Sequence, residues 1–235
     1  MKKVHLGDDS WTTIANNVRS GNTSLYNIGD TKKITVDGTN YTVRLANNST
    51  PSECDGTDFS QTACGFVVEF ADIVENRQMN STNTNVGGWE ASEMRTYANG
   101  DFFNKLPEDL RNVIKATKVV SGHGSTTGET NFTTTDKIYL LSAHEVYEDG
   151  TSNQVSSIDT AWDKNRQLDY YKNLGVTADS YSGAIKKYNN SNFIWWLRTP
   201  LSNYSLYFLN VGSPDFWVSA GSDYPLGVAP AFRIG

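Results

Sequence analysis

Residues 195–234 constrain the fold of this chain more than any other stretch, because their ends and their middle obey different rules. One end reads Trp195-Trp196-Leu197-Arg198 and the other, residues 227–234, reads GVAPAFRI. Rings of this size bury too much apolar area to be left in water. Trp195, Trp196 and Leu197 are therefore expected to anchor a first buried strand, and Gly227, Pro230 and Phe232 to fix a closing one. A buried guanidinium without a partner is costly, so Arg198 is expected to meet a buried carboxylate or carbonyl that the sequence does not identify. Between the ends, residues 201–226 contain no Lys, Glu, Gln or Met and are rich in Ser, Asn, Asp, Tyr, Gly, Phe and Leu. Solvated surfaces lean on Lys and Glu. Tyr mixed with Ser, Asn and Gly is instead the composition of a paratope, where rigid rings supply contact area and small polar groups adapt their hydrogen bonds.

The pattern W-W-L-R-[ST]-P, followed after an Asn/Tyr/Ser-rich interval by G-V-x-P-A-F-R-I, resembles the C-terminal variable region of C-type-lectin-fold proteins diversified by retroelements, phage major tropism determinants among them. In that family template adenines are randomised, so Asn codons ending in C or T become any codon with the same last base. Such codons never encode Lys, Glu, Gln, Met or Trp. Residues 201–226 obey this rule except at Trp217, which on this reading is a fixed scaffold position. From Trp11 onward the chain is also similar to an uncharacterised bacterial and prophage domain family with the same ending. The resemblance implies one α+β domain over residues 1–235, of the C-type lectin fold and related to formylglycine-generating enzymes. A small twisted antiparallel sheet, flanking helices and long loops are expected, with residues 195–234 as the variable region. It also implies a ligand- or receptor-binding protein rather than an enzyme, on a phage virion or a bacterial exterior, with a cell-surface protein or glycan as partner.

Strand alternation sends half of the aromatics inward, so Phe208, Val211 and Trp217 are assigned to the core. The candidate ligand-binding residues are Leu201, Asn203, Tyr204, Leu206, Tyr207, Gly212, Pro214, Phe216, Val218, Ala220, Asp223, Tyr224 and Leu226. No cofactor or metal is expected.

Composition narrows the alternatives. The net charge of −6 and the lack of any Lys/Arg run argue against nucleic acid or an anionic membrane surface as partner. No apolar run reaches the length of a signal peptide or a membrane span, so the chain is expected either not to be exported by its own signal or to be a domain cut from something longer. Cys54 and Cys64 read as a disulfide or as two reduced thiols in a loop, and zinc would need two further ligands. Aromatics make up 12% of a chain that is only 37% hydrophobic, so large rings must carry much of the burial.

Along the chain, residues 9–18 carry a cap candidate followed by Trp11, Ile14, Ala15 and Val18 at helical spacing, with an end near Gly21. Residues 33–36 and 41–45 alternate around Asp37-Gly38, a strong hairpin signal. Residues 66–74 read as a buried strand, and residues 76–86, polar and without period, as a loop. Ser92 is a helix cap, and residues 107–115 read as a helix with Pro107 in its first turn and Leu106, Leu110, Val113 and Ile114 as its inner stripe. Residues 138–141 read as a strand, Ser142-Ala143-His144-Glu145 as a capping box, and residues 159–175 as a helix ending at Gly175.

Catalytic motifs are weak. The Gly/Ser/Thr stretch 121–128 lacks the lysine and spacing of a phosphate loop, and His144-Glu145 is not followed by the second histidine of a zinc protease. His5, His123 and His144 lie far apart. The alternative of a formylglycine-generating-like enzyme is disfavoured because the copper-dependent members use cysteines late in the chain, whereas both cysteines here come early. Calcium-dependent sugar binding of the animal lectin type needs E-P-N, Q-P-D or W-N-D, none of which occurs. A third alternative is a structural virion or adhesin module.

Overall fold

A computed structural model of the protein describes residues 3–125, 131–148, 164–202, 204–212 and 219–235. Local signals hold where they are strongest. Helix α1 (Trp11–Arg19) is capped by Ser10, whose hydroxyl accepts from Thr13 N at 3.1 Å. It buries Trp11, Ile14 and Ala15, the apolar stripe read from the sequence. Strands β1 (Thr31–Val36) and β2 (Thr39–Asn47) form the hairpin. Asp37 and Gly38 take φ of 49° and 80°, the left-handed pair that a two-residue turn needs to match strand twist.

The remaining strands are β3 (Val67–Phe70), β4 (Glu75–Arg77), β5 (Ile114–Lys115), β6 (Thr117–Ser121), β7 (Phe132–Asp136), β8 (Lys186–Tyr188), β9 (Ser191–Phe193), β10 (Trp195–Pro200), β11 (Tyr207–Val211), β12 (Ser219–Gly221), β13 (Leu226–Val228) and β14 (Ala231–Ile234). The helices after α1 are short: α2 (Gly88–Ala91), α3 (Glu93–Tyr97), α4 (Phe103–Lys105), α5 (Glu108–Arg111), α6 (Ala143–Val146) and α7 (Asp169–Asn173). The protein is thus α+β and sheet-rich.

In place of one small antiparallel sheet there are two five-stranded sheets, ordered β1-β2-β3-β14-β5 and β12-β11-β10-β13-β4, with two separate hairpins, β6-β7 and β8-β9. The second sheet includes a parallel pair, Trp195 opposite Gly227. A Cβ on Gly227 would lie 2.6 Å from Ile73 Cδ1 and 2.8 Å from Ile194 O, so only glycine allows β13 to sit this close. One apolar cluster extends from Leu6 to Ile234 and contains Trp89, Trp195, Trp196, Phe208 and Phe232, all fully buried.

Several elements are shorter than their sequence patterns suggest. The expected helix over 107–115 closes after Arg111, and Ile114-Lys115 instead pairs with Arg233-Ile234. The apolar stripe was correct, since Leu106, Leu110, Val113 and Ile114 are all buried. A β-branched residue beside an open sheet edge gains more from pairing than from another helical turn. Residues 138–141 are buried but form no strand, only a bridge from Tyr139 to Ala231. Buried apolar runs of this length do not by themselves distinguish strand from extended core segment. Within 66–74 only Val67–Phe70 is strand, and Asn76 and Arg77, read as loop, belong to β4. Of the helix expected over 159–175, residues 159–163 lie outside the described residues, and α7 is its ordered turn, followed by Gly175 at φ 64°. Cys54 and Cys64 form a disulfide.

Candidate binding surface

The frame of the terminal stretch rests on two buried ion-pair systems. All six residues of β10 are buried. Arg198 Nη1 donates to Glu145 Oε2 at 2.8 Å and to Leu140 O at 2.7 Å, and Nη2 donates to Glu145 Oε1 at 3.0 Å and to Thr62 Oγ1 at 3.2 Å. The expected partner is therefore both a carboxylate and a carbonyl. Glu145 also completes the capping box of α6, accepting from Ser142 N at 2.9 Å, and Thr62 Oγ1 and Asn165 Nδ2 donate to it as well. One carboxylate thus starts a helix and neutralises the arginine of β10.

Beneath Trp195 lies the second system. Glu69 accepts from Arg44 Nε at 2.8 Å, Lys186 Nζ at 2.9 Å and Tyr171 Oη at 2.8 Å. Burial works to raise the Glu69 carboxyl, but Arg44 and Lys186 outweigh it and hold the group below its usual range. Burial pulls the Lys186 ammonium down to about 8 against the attraction of Glu69. Lys186 Nζ also lies 4.9 Å from the Trp195 ring centroid.

On this frame Asn83 and ten described residues from Ile194 to Leu226 shape an open concavity of about 710 Å³. Six of the sequence-assigned residues line it: Leu201, Tyr204, Tyr207, Ala220, Tyr224 and Leu226. Ile194, Asn210, Ser219, Gly221 and Asn83 complete the lining among the described residues. Tyr204 and Tyr224 are 57% and 62% exposed, and Leu206, on the same loop as Tyr204, is 37% exposed. The Tyr204 and Tyr207 rings meet edge to face, with centroids 6.0 Å apart. Phe208 and Val211 are core, as assigned.

Three of the assigned residues are less exposed than a contact surface requires. Leu201 is buried at its edge of the concavity, because its N–H bonds to Tyr207 O and ties it to the sheet, and Gly212 is buried at the end of β11. Asp223 is half-buried and does not line the hollow. Asn203, Pro214, Phe216 and Val218, with Asp215 and the proposed scaffold residue Trp217, lie outside the described residues.

Sequence reasoning missed the element that holds this loop in place. Residues 78–86, read only as a polar loop, brace the whole face. Asn85 is fully buried, and its Nδ2 donates to Leu201 O at 2.7 Å, Tyr204 O at 2.7 Å and Tyr207 O at 2.8 Å. Its backbone N–H donates to Ser205 O at 2.7 Å. One asparagine therefore binds four carbonyls of the 201–207 turn, three of them sharing the two amide hydrogens. Gly124, at φ 67°, makes room for it, since a Cβ there would fall 2.3 Å from Asn85 O. The Gly/Ser/Thr stretch that superficially suggested a phosphate cradle thus supplies a packing glycine. Further along, the fully buried Ser222 accepts from Thr84 N at 2.7 Å, its N–H reaches Asn83 Oδ1 at 3.1 Å, and Gln78 donates to Asp223 O. The only legible hint was the density of Asn, Ser and Thr, residues that bond to backbone in irregular segments.

A family model described as a domain of unknown function, DUF6273, matches residues 66–235. The chain belongs to the DUF6273 family. The match takes in Asn85, Glu145, Arg198 and every residue lining the concavity. It begins after the β1-β2 hairpin, yet that hairpin shares a sheet with β3 and β14 of the DUF6273 region. No curated protein and no solved structure matches the chain. Among the described residues no group of three or more His, Cys, Asp or Glu is placed to hold a metal ion. Also among them, no helix is long and apolar enough to cross a membrane. Neither cysteine lines the concavity.

Proposed function

We propose that this protein is a recognition module of the C-type lectin fold, whose binding surface is the tyrosine-lined concavity and whose residues 201–226 are varied by a retroelement. The observation that carries the reading is a division of labour. Nine of the eleven described lining residues come from 201–226, whereas Asn85, the side chain that grips the 201–207 turn, lies outside it. Asn85 grips the loop through backbone carbonyls, which every residue type possesses, so the side chains above it are free to change. Tyr204 and Tyr224 stand more than half exposed at the rim, the arrangement in which tyrosine supplies contact area at small entropic cost.

The reading makes the module a binder, with no catalytic role, displayed on a phage particle or bacterial exterior and directed at a cell-surface molecule. Its test has two arms. The neighbouring DNA is expected to hold a near-copy of the codons for 195–234, differing at adenines and lying beside a reverse transcriptase gene. Replacing Tyr204, Tyr207 and Tyr224 together by Ala is expected to leave the fold intact and to abolish binding of the purified protein to intact bacterial cells, measured by flow cytometry. Unchanged cell binding by the folded triple variant would show that the surface is wrongly assigned.

A further inference from the structure

The lining of the concavity carries more information than its shape. Among the described residues it contains no Asp, Glu, Lys, Arg or His. It nevertheless holds many hydrogen-bonding groups that the protein itself does not use. The hydroxyls of Tyr204, Tyr207, Tyr224 and Ser219 have no hydrogen-bond partner among the described residues. Asn210, 1% exposed, has a buried Oδ1 without a partner. Asn83 uses its Oδ1 on Ser222, which leaves its Nδ2 for a ligand.

Each class of occupant meets this lining differently. A charged group would surrender its hydration and find no counter-charge in the described lining, which argues against phosphate, sialate or an ammonium as the inserted part. A purely apolar side chain from a protein would cover the tyrosine rings but leave the hydroxyls and the Asn210 amide buried and unmatched, and sites built of such groups discriminate strongly against ligands that cannot bond to them. A neutral sugar brings both complements at once: C–H faces that stack on aromatic rings, and hydroxyls that donate and accept around the ring edge. The volume of about 710 Å³ falls in the usual range of small-molecule sites, about 300–1,000 Å³.

Building on the recognition surface proposed above, we infer that the concavity binds an uncharged carbohydrate, through tyrosine stacking and hydroxyl and amide hydrogen bonds. No carboxylate lines the hollow among the described residues, so a bridging calcium ion finds no anchor among them and the binding is expected to be independent of calcium.

The test is a printed array of neutral hexose and N-acetylhexosamine oligosaccharides beside sialylated and sulfated ones, probed with the whole chain and with the Tyr204→Ala/Tyr224→Ala double variant. Both side chains are more than half exposed, so the variant is expected to melt with the wild type. The expected result is binding to at least one neutral glycan, insensitive to a chelator and to added salt, and weaker by about tenfold or more in the variant. Three results would overturn the inference: binding confined to acidic glycans, neutral-glycan binding that the variant retains, or no glycan binding. In the last case, cell binding that the double variant abolishes would identify a protein partner and leave the recognition surface standing. Cell binding that it retains would remove both readings.

Discussion

Asn85 gives the sharpest test of how the 201–207 turn is held. In Asn85→Ala the carbonyl of Leu201, buried where Nδ2 reaches it, loses that donor. An orphaned buried acceptor costs about 1–3 kcal/mol. The carbonyls of Tyr204 and Tyr207 lose one bond each, about 1 kcal/mol apiece. Tyr207 O is the less affected of the two, because it keeps the Leu201 N–H at 3.0 Å. The sum is about 3–5 kcal/mol, and at roughly 2–4 °C per kcal/mol for a chain of this size the melting temperature falls by about 6–20 °C.

Asn85→Asp is the more telling variant. It preserves shape and volume but turns the donor into a second acceptor facing three carbonyl oxygens in a fully buried site. It is expected to destabilise more than Asn85→Ala, although the chemical change is smaller, and to recover in part at acid pH, where the carboxyl gains a proton to donate. Calorimetry with native-state hydrogen exchange is the assay, and amides of residues 201–207 are expected to lose protection first. If Asn85→Asp melts within about 2 °C of the wild type, the bracing role is refuted.

Two further expectations concern the frame. Arg198→Met leaves Glu145 buried without its counter-charge and is expected to cost about 3–5 kcal/mol in chemical denaturation, whereas Arg198→Met/Glu145→Leu recovers part of that loss; a double variant at least as unstable as the sum of the singles would contradict the pairing. Burial raises the hydroxyl pKa of Tyr26 to about 12, and it raises Tyr97, Tyr139, Tyr147 and Tyr171 still further from ordinary tyrosine behaviour. Because the folded values lie above the unfolded value near 10, this contribution to stability is complete below about pH 10. It then falls by about 1.4 kcal/mol per pH unit per tyrosine as the unfolded chain ionises. Below about pH 12, tyrosinate absorbance from these residues is expected only together with loss of circular dichroism, and its appearance there in a folded protein would refute the assignment.

Much of this was legible in the sequence because it is decided within a few residues. Ser10 and Ser142 cap their helices through bonds to the residue three positions on, and Asp37-Gly38 turns the hairpin by its own φ values. The Lys- and Glu-free composition of residues 201–226 likewise marked the stretch that forms the concavity. Hidden were the pairings between distant residues. Nothing local in Asn85 signals that it will bind carbonyls more than a hundred residues away, and Glu145 has the same capping pattern whether or not Arg198 arrives.

The sequence alone therefore determined the helix caps, the hairpin turn and the burial of Phe208 and Val211, since caps and turns depend on neighbours in the chain; alternation did not extend to Leu209 and Asn210, which are buried as well. Tertiary structure alone decided that residues 114–115 extend a sheet, that residues 138–141 stay outside one, and that a loop without periodicity braces the turn beside the concavity. Those outcomes depend on which backbone groups find partners when distant segments meet, and hydrogen-bond satisfaction of that kind has no signature in any single window of the chain.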